Sequence, residues 1–172
     1  MTDKPLQEIV ISPEEATFWL DRWGRWCNRH GPFEHPKIIS HFNAAIARDE
    51  KGYFVAQVNG DIYEKVYFRH EDTALFVFDV LPEDDLTLVL NTGRRMALDP
   101  AALFIRNDSL YLRNGPELIK FNEASMLKIS RHFTITGDQC FLRFRGRSYA
   151  VPVMEADPSS GGTSDPPQPS IG

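Results

Sequence analysis

The sequence predicts an α+β fold: an antiparallel, β-rich domain with about three helices. Two observations predict this class. Apolar residues alternate with polar ones in short runs separated by Gly, Asn and Asp turn signals, and only three segments carry helix-start signals. Hydrophobic residues make up 42% of the 172 residues and charged residues 25%, which is typical of globular proteins and excludes fibrous classes. We therefore expect a domain with a substantial core.

The first predicted helix lies near the N-terminus. Ser12 is a suitable N-cap, and Pro13 favours the first helical position, so a helix is expected to run to about Arg22. Residues 1–22 would then form a helical extension of the globular domain.

Two more helices are predicted further along the chain. One begins at Pro36, continues with apolar residues at three- and four-residue spacings, and is expected to end at Gly52, which suits a left-handed cap. The other is predicted over residues 122–132, with Asn122 as its N-cap.

The strands are predicted from alternation and turn residues. Asn59-Gly60 between two alternating runs is a strong hairpin signal, and Gly137 and Gly146 indicate two later turns. The predicted strands span residues 53–58, 62–69, 73–80, 86–90, 95–98, 103–106, 110–113, 118–121, 133–136, 139–145 and 147–153.

A weak internal similarity divides the predicted domain. The order helix, strand, Gly-Asp turn, strand occurs in "AAIARDEKGYFVAQVNGDIYEKVYFR" and again in "ASMLKISRHFTITGDQCFLRFR". Either two similar helix-plus-hairpin units pack together, or shared hairpin chemistry produces the likeness. Residues 23–154 are accordingly expected to form one α+β domain, or two β-rich lobes over 23–85 and 86–154. The Pro-, Gly- and Ser-rich residues 155–172 are predicted to be disordered.

The stretch "RWCNRHGPFEHP" raises the question of a metal site. Cys27, His30 and His35 lie within nine positions, but structural zinc needs four ligands, and His41 would point about 120° away from His35 on a helix. Turn residues between two apolar positions favour a hairpin that leads into the Pro36 helix. We expect no metal and no other cofactor.

The charge distribution indicates the class of ligand. Residues 86–154 carry ten basic against five acidic residues, within a chain of net charge −5. This local excess suits an anionic small molecule or an acidic protein partner better than a nucleic acid, whose binding depends on many neutralised phosphates. Arg143, Arg145 and Arg147 alternate, and they would share one strand face if the chain stayed extended across Gly146. A solvated strand face or a bulge at Gly146 is the alternative.

A second candidate binding surface follows the Asn59-Gly60 turn. Tyr63, Lys65, Tyr67 and Arg69 recur at period two, and aromatic residues among basic ones can stack on nucleobases. An ordinary exposed strand has the same composition, because aromatic and long basic side chains stabilise cross-strand pairs.

No catalytic motif is present in the sequence. An enzyme would have to assemble its site in three dimensions, drawing on His41, His70, His132 or Cys140. Among the tryptophans, Trp19 is expected to pack under the first helix and Trp26 to anchor the hairpin.

One family shares the order of these signals. The segment "WGRWCNRHGPFEHPKIISHFNAAIARDEKGYFVAQV" and the later "LYLRNGPELIKFNEASMLKISRHF" resemble the bacterial domain-of-unknown-function family 1285 (DUF1285), over about residues 22–150. Where members carry Asp-Ala-Pro-Phe, this chain reads Asp72-Thr73-Ala74-Leu75. The matching positions are Gly24, Trp26, Gly31, Pro36, Phe42, Arg48, Asp49, Gly52 and Tyr53.

The resemblance implies an α+β fold of repeated β-rich units without established catalytic residues, and a ligand-sensing or signalling role. No apolar run is long enough to span a bilayer, and no signal peptide is visible, so a cytoplasmic location without membrane contact is expected. Together these observations predict a non-catalytic binding or regulatory domain. The sequence predicts no oligomeric state.

Overall fold

Four β-sheets and two α-helices form the part of the chain that the computed structural model describes, residues 4–83 and 86–155. The first half contains β1 (Gln7–Ile11), β2 (Phe18–Leu20), β3 (Trp26–Asn28), β4 (Gly31–Pro32), α1 (Pro36–Ala44), β5 (Ile46–Asp49), β6 (Gly52–Asn59), β7 (Ile62–Tyr67), β8 (Arg69–His70) and β9 (Leu75–Leu81). The second half contains β10 (Thr87–Leu90), β11 (Arg95–Ala97), a 3₁₀ turn (Pro100–Ala102), β12 (Leu103–Arg106), β13 (Ser109–Asn114), β14 (Glu117–Phe121), α2 (Glu123–Ser130), β15 (Phe133–Thr136), β16 (Gln139–Phe144) and β17 (Arg147–Val151).

A six-stranded sheet of order β11-β10-β9-β14-β13-β12 occupies the centre of the fold. The other sheets have the orders β1-β7-β6-β5, β4-β3-β2-β8 and β15-β16-β17. Most strand pairs are antiparallel, as predicted, but β1 with β7, β2 with β8, and β9 with β14 are parallel. The predicted antiparallel domain is thus an α+β fold with mixed sheets.

Strand β9 separates two hydrophobic clusters because its side chains alternate between the two faces of the central sheet. Leu75 and Val77 pack into a cluster built mainly from residues 75–151. Phe76, which lies between these two residues in the sequence, points to the other face and is fully buried in the second cluster with Leu20 and Trp26. We call the Phe76 side of the central sheet its front face.

The predicted helix at residues 12–22 is wrong. The Ser12 carbonyl accepts the N–H groups of Glu15 and Ala16, so the chain completes one turn. It then extends into β2, because Leu20 is completely buried when β2 pairs with β3 and β8. Tertiary pairing outweighs the local cap signal here.

The other two predicted helices are present. Helix α1 begins at Pro36 as predicted but ends at Ala44, and β5 follows in register with β6. Gly52 therefore starts a strand after a hairpin turn and does not cap a helix. Helix α2 is confirmed, with the Asn122 side chain accepting the Ser125 N–H. Two α-helices are present in the described residues, where about three were predicted.

The predicted hairpins are confirmed. Asn59 pairs with Ile62 across the Gly60 turn, Thr136 with Gln139 across Gly137, and Phe144 with Arg147 across Gly146. The order of helix followed by three antiparallel strands occurs twice, as α1-β5-β6-β7 and as α2-β15-β16-β17. We call each of these a helix-plus-meander unit. Neither helix in the described ranges is long and apolar enough to cross a membrane. The predicted disordered tail lies, from residue 156 on, outside the described residues.

Candidate functional site

A cleft of about 640 Å³ opens where the β2–β3 turn meets the front face of the central sheet. The turn contributes Arg22, Trp23 and Arg25, and the sheet contributes Phe76 and Lys120. The start of α2 closes one side of the cleft with Asn122, Glu123 and Met126, and the β12–β13 turn adds Asp108 and Ser109.

The β2–β3 turn is held rigidly by Asp21, which is only 3% exposed. Its carboxylate accepts the backbone N–H groups of Trp23 and Arg25, each at 2.9 Å, and the Arg25 Nε–H at 2.8 Å. The Asp21 N–H donates to the Arg25 carbonyl, and its own carbonyl accepts from Gly24. Because these bonds fix every part of the turn, Trp23 is presented at a defined place.

Trp23 is 53% exposed, although it sits on this rigid turn. The guanidinium carbons of Arg22 and Arg25 lie over its ring, 5.4 Å and 5.1 Å from the ring centroid. A tryptophan face flanked by two cations is a favourable surface for a planar anionic group, through stacking and charge.

Gly24 joins the turn to the sheet. It has φ +81° and lies against the ring of Phe76, where an added Cβ would be 3.0 Å from a ring carbon. Glycine is therefore required both for the backbone angle and for the close approach. This contact places Trp23 directly beside the front face.

The floor of the cleft continues as a row of side chains across four strands. The register pairs Phe104 with Tyr111, Tyr111 with Lys120, and Lys120 with Phe76. Paired residues project from the same face of a sheet, so all four lie on the front face. The rings of Phe104 and Tyr111 stack at 5.3 Å.

Asp72 connects this row to the loop before β9. Its carboxylate accepts the Tyr111 hydroxyl at 2.5 Å and lies 3.0 Å from the Lys120 Nζ and 3.5 Å from the nearest Arg106 nitrogen. Burial and the bond to Asp72 together raise the pKa of Tyr111 to about 12. Tyr111 therefore holds its proton at neutral pH and acts as a hydrogen-bond donor, not as a base.

Lys120 joins the sheet to the turn. Its Nζ donates to the Arg22 carbonyl at 2.8 Å while it pairs with Asp72. The cation thus stabilises both the backbone that carries Trp23 and the partly buried carboxylate of Asp72. The geometry provides stacking, fixed cations and hydrogen-bond donors, which suit binding.

The arginine row predicted from the sequence does not form. Arg145 and Gly146 both have positive φ, 51° and 71°, and make the tight turn that ends β16. Arg143 pairs with Ser148, and Arg147 pairs with Phe144, so Arg143 and Arg147 lie on opposite faces of the sheet. The prediction of one shared face is wrong, and the binding role of these residues stays a prediction.

The second predicted surface is brought together only in part. Tyr63, Lys65 and Tyr67 share one face of β7, but Arg69 lies in the separate strand β8. The charge on this face is locally balanced: the Lys65 Nζ lies 3.4 Å from an Asp49 oxygen and 3.7 Å from a Glu8 oxygen.

Tyr67 belongs to the same network. Its hydroxyl donates to Asp49 at 2.5 Å, and this bond is the main cause that raises the pKa of Tyr67 to about 12 and lowers the pKa of Asp49. The side chain is buried, so it offers no stacking surface to a nucleobase.

The hairpin interpretation of the Cys–His stretch is confirmed. Cys27 lies in β3 with its Sγ 3.8 Å from Asp21, whereas His30 accepts a hydrogen bond from Arg29. Across residues 4–83 and 86–155, no three His, Cys, Asp or Glu side chains form a group that could hold a metal ion.

The tryptophans and the enzyme candidates can also be located. Trp26 anchors the hairpin as predicted, buried with its Nε1 donating to Asn43 at 2.8 Å. Trp19 lies in β2, and the helix under which it was expected to pack does not form. His132 and Cys140 share no hydrogen bond within the described ranges, and burial raises the pKa of the Cys140 thiol, which makes it a weaker nucleophile at neutral pH.

Sequence reasoning missed the residues that build the cleft. Asp21, Trp23, Asp72, Tyr111 and Lys120 come from four separate segments, so no spacing links them. One signal was present: Asp72 begins the segment that corresponds to the Asp-Ala-Pro-Phe motif of DUF1285.

Comparison with known proteins gives a likeness of fold. No family model matches the sequence. No curated protein matches it. Among solved structures, a DUF1285 family protein from Silicibacter pomeroyi DSS-3 superposes with a TM-score of 0.56, covering 88% of this chain and 89% of that chain at 15% identity. The chain resembles the DUF1285 family in fold. A DUF1285 family protein from Shewanella baltica OS155 gives 0.46, covering 69% of this chain and 93% of that chain at 18% identity.

The positions that carried the DUF1285 resemblance in the sequence support the fold directly. Gly24 makes the close contact with Phe76, Trp26 fills the hydrophobic cluster that contains Phe76, and Pro36 begins α1. Asp49 and Gly52 close the hairpin between β5 and β6. These are turn and packing positions, which explains how a DUF1285-like sequence order accompanies a DUF1285-like fold.

Proposed function

We propose that the protein is a non-catalytic binding or regulatory domain whose cleft beside Trp23 recognises a planar, anionic small molecule. The observation that carries the proposal is the exposed indole of Trp23 on a turn fixed by buried Asp21. A rigid aromatic surface stacks on a flat ligand with little loss of conformational entropy.

The cations of the turn support an anionic ligand. The side chains of Arg22 and Arg25 are 63% and 56% exposed, and their hydrogen bonds to Glu71 and Asp21 both use Nε. In the described part of the chain, the terminal NH₂ groups of both guanidiniums are thus left to bind a carboxylate or phosphate bidentately.

The shape of the site supports a small molecule over a protein partner. A volume of about 640 Å³ lies in the usual range for small-ligand pockets, and the lining combines aromatic surface with polar and charged side chains. Stacking on Trp23 and a cation at Lys120 would place the ligand between the turn and the sheet.

The wider proposal is a sensing role in the cytoplasm. Cys27 and Cys140 are both free thiols, which suits a reducing compartment. The cleft is proposed as the place where a metabolite or nucleotide regulates the domain. The two helix-plus-meander units are proposed to be similar units that pack together in one domain.

The proposal is tested by a thermal-shift screen against nucleotides, cyclic dinucleotides and aromatic carboxylates. A ligand at one hundred times its Kd stabilises the folded state by about 2.7 kcal/mol, so a hit should raise the Tm by several degrees. The W23A and R22A/R25A variants should lose this shift.

The matched control is the R143A/R147A double variant, which removes two of the three arginines that the sequence singled out. It should retain the full shift. A shift that survives in W23A, or that disappears in R143A/R147A, would contradict the proposal and favour the other surface. A screen without any hit would also count against a small-molecule site.

A further inference from the structure

The open edge of β15 differs from the other long sheet edges. Strand β15 is hydrogen-bonded to β16 alone, and its sequence is Phe-Thr-Ile-Thr. Edge strands β1, β5, β12 and β17 all contain at least one charged residue, which is how proteins commonly protect an exposed edge. Among the described edge strands of four or more residues, β15 is thus the one that contains no charged residue.

The same region exposes apolar surface. Ile135 is 75% exposed, and Leu127, on the helix that leads into β15, is 76% exposed. These are the two most exposed large hydrophobic side chains in the described residues. The equivalent edge strand of the first helix-plus-meander unit is β5, and it contains two charged residues, Arg48 and Asp49.

The hydrogen-bonding direction of β15 follows from its turn. Thr136 and Gln139 close a two-residue turn, and the Arg143 N–H donates to the His132 carbonyl. Residues 132, 134 and 136 therefore bond toward β16, and the backbone groups of Phe133 and Ile135 point to the open edge.

We propose that a second copy of this chain pairs with this edge, β15 against β15 in antiparallel orientation, about a two-fold axis at Ile135. The two three-stranded sheets would become one six-stranded sheet. In this register Ile135 faces its own copy, and Phe133 lies next to the partner's turn at Gly137.

The same register makes the edge self-complementary on the other face. Thr134 is opposite the partner's Thr136, a pair that stabilises antiparallel strands. At each end of this ladder, His132 and the exposed Arg131 lie toward the turn that contains the partner's Asp138, so a basic end meets an acidic turn twice. An interface in which one patch is complementary to itself is what a two-fold dimer requires.

The test is sedimentation-velocity ultracentrifugation of the full chain over a concentration series. The wild-type protein should pass from its monomer mass of 19.6 kDa to twice that mass as concentration rises. The I135K variant places a charge at the axis and should weaken the dimer at least about tenfold. I9K makes the same change on the β1 edge and should leave the dimer constant unchanged.

A charge exchange tests the register. D138K should weaken the dimer, and the H132D/D138K double variant should restore it, because the exchanged pair is again complementary. Thermal unfolding by circular dichroism shows that each variant is folded. A monomer at all concentrations, a dimer that I135K leaves intact, loss of the dimer in I9K, or no recovery in H132D/D138K would each overturn the proposal.

Discussion

Gly24 lies against the aromatic ring of Phe76, so closely that a Cβ at Gly24 would be 3.0 Å from a ring carbon. This contact seats the turn that carries Trp23 on the central sheet. Two independent constraints act on the residue, since its φ of +81° also favours glycine.

We expect Gly24→Ala to destabilise the protein by about 2–4 kcal/mol, because backbone strain and the collision with Phe76 add together. Gly146→Ala is the matched control: its φ is +71°, but nothing lies within 4 Å of the added Cβ. The control should lose about 1–2 kcal/mol through strain alone. Urea unfolding of both variants measures the difference, and equal losses would show that the Phe76 contact contributes nothing.

Asp21→Asn tests the turn that presents Trp23. The amide has one acceptor oxygen in place of two, and its NH₂ would face the Arg25 Nε–H that now donates to Asp21. We expect a loss of about 1–3 kcal/mol in the free energy of unfolding. Asp61→Asn, at an exposed ion pair with Lys4, should change it by less than about 0.5 kcal/mol. Similar behaviour of the two variants would argue against Asp21 as the organiser of the turn.

Lys120→Met removes the cation that joins the sheet to the turn. Lys120 and Asp72 are 11% and 17% exposed in their side chains, so the change leaves a shielded carboxylate with only Arg106 as a cationic partner. We expect a destabilisation of about 2–3 kcal/mol. Lys128→Met breaks the more exposed pair with Asp79 and should cost about 1 kcal/mol or less. Chemical denaturation measures the free energy of unfolding of both variants. A larger loss in Lys128→Met than in Lys120→Met would contradict the role of Lys120 in joining the sheet to the turn.

Alkaline titration tests the Tyr111–Asp72 contact. The pKa of Tyr111 is raised from 10 in the unfolded chain to about 12 in the folded protein. The folded state thus holds this proton more tightly, so its contribution to stability is complete below pH 10 and is lost as the pH rises toward 12. Absorbance at 295 nm should show Tyr111 and Tyr67 among the late-ionising members of the five tyrosines, together with Tyr53, whose pKa is raised by burial.

The Y111F variant isolates the same contact at neutral pH. It should be about 1–2 kcal/mol less stable than the wild type, because the Asp72 carboxylate loses a donor. Its titration should contain one late-ionising tyrosine fewer than that of the wild type. If Y111F lost none, the high pKa would belong to another residue.

The sequence predicted features governed by neighbouring residues. Asn59-Gly60 and Gly137 fix their hairpins through the backbone angles of two or three residues, and Asn122 caps α2 through a bond to Ser125 three positions away. Such contacts join residues that are close in the sequence, so a short sequence motif is enough to predict them. The metal-like Cys–His stretch was resolved as a hairpin by the same turn chemistry.

The remaining features depend on contacts between distant segments. The Ser12 carbonyl does begin a turn, yet the chain becomes β2 because pairing with β3 and β8 buries Leu20. The cleft needs Asp72 to meet Tyr111, thirty-nine positions later. Alternation alone also misplaced Arg145, because it could not show that Arg145 and Gly146 would form the tight turn.

The parallel ladder between β9 and β14 has a consequence for how the chain is made. Leu75 pairs with Ile119, so a nascent polypeptide carries β9 for more than thirty residues of further translation before its second neighbour, β14, is synthesised. Closing so distant a pairing is slow, and an uncovered strand is a target for aggregation in the meantime. We therefore expect fragments that stop before residue 121 to precipitate or to require chaperones, even though the β5–β6 and β6–β7 hairpins are already complete in them.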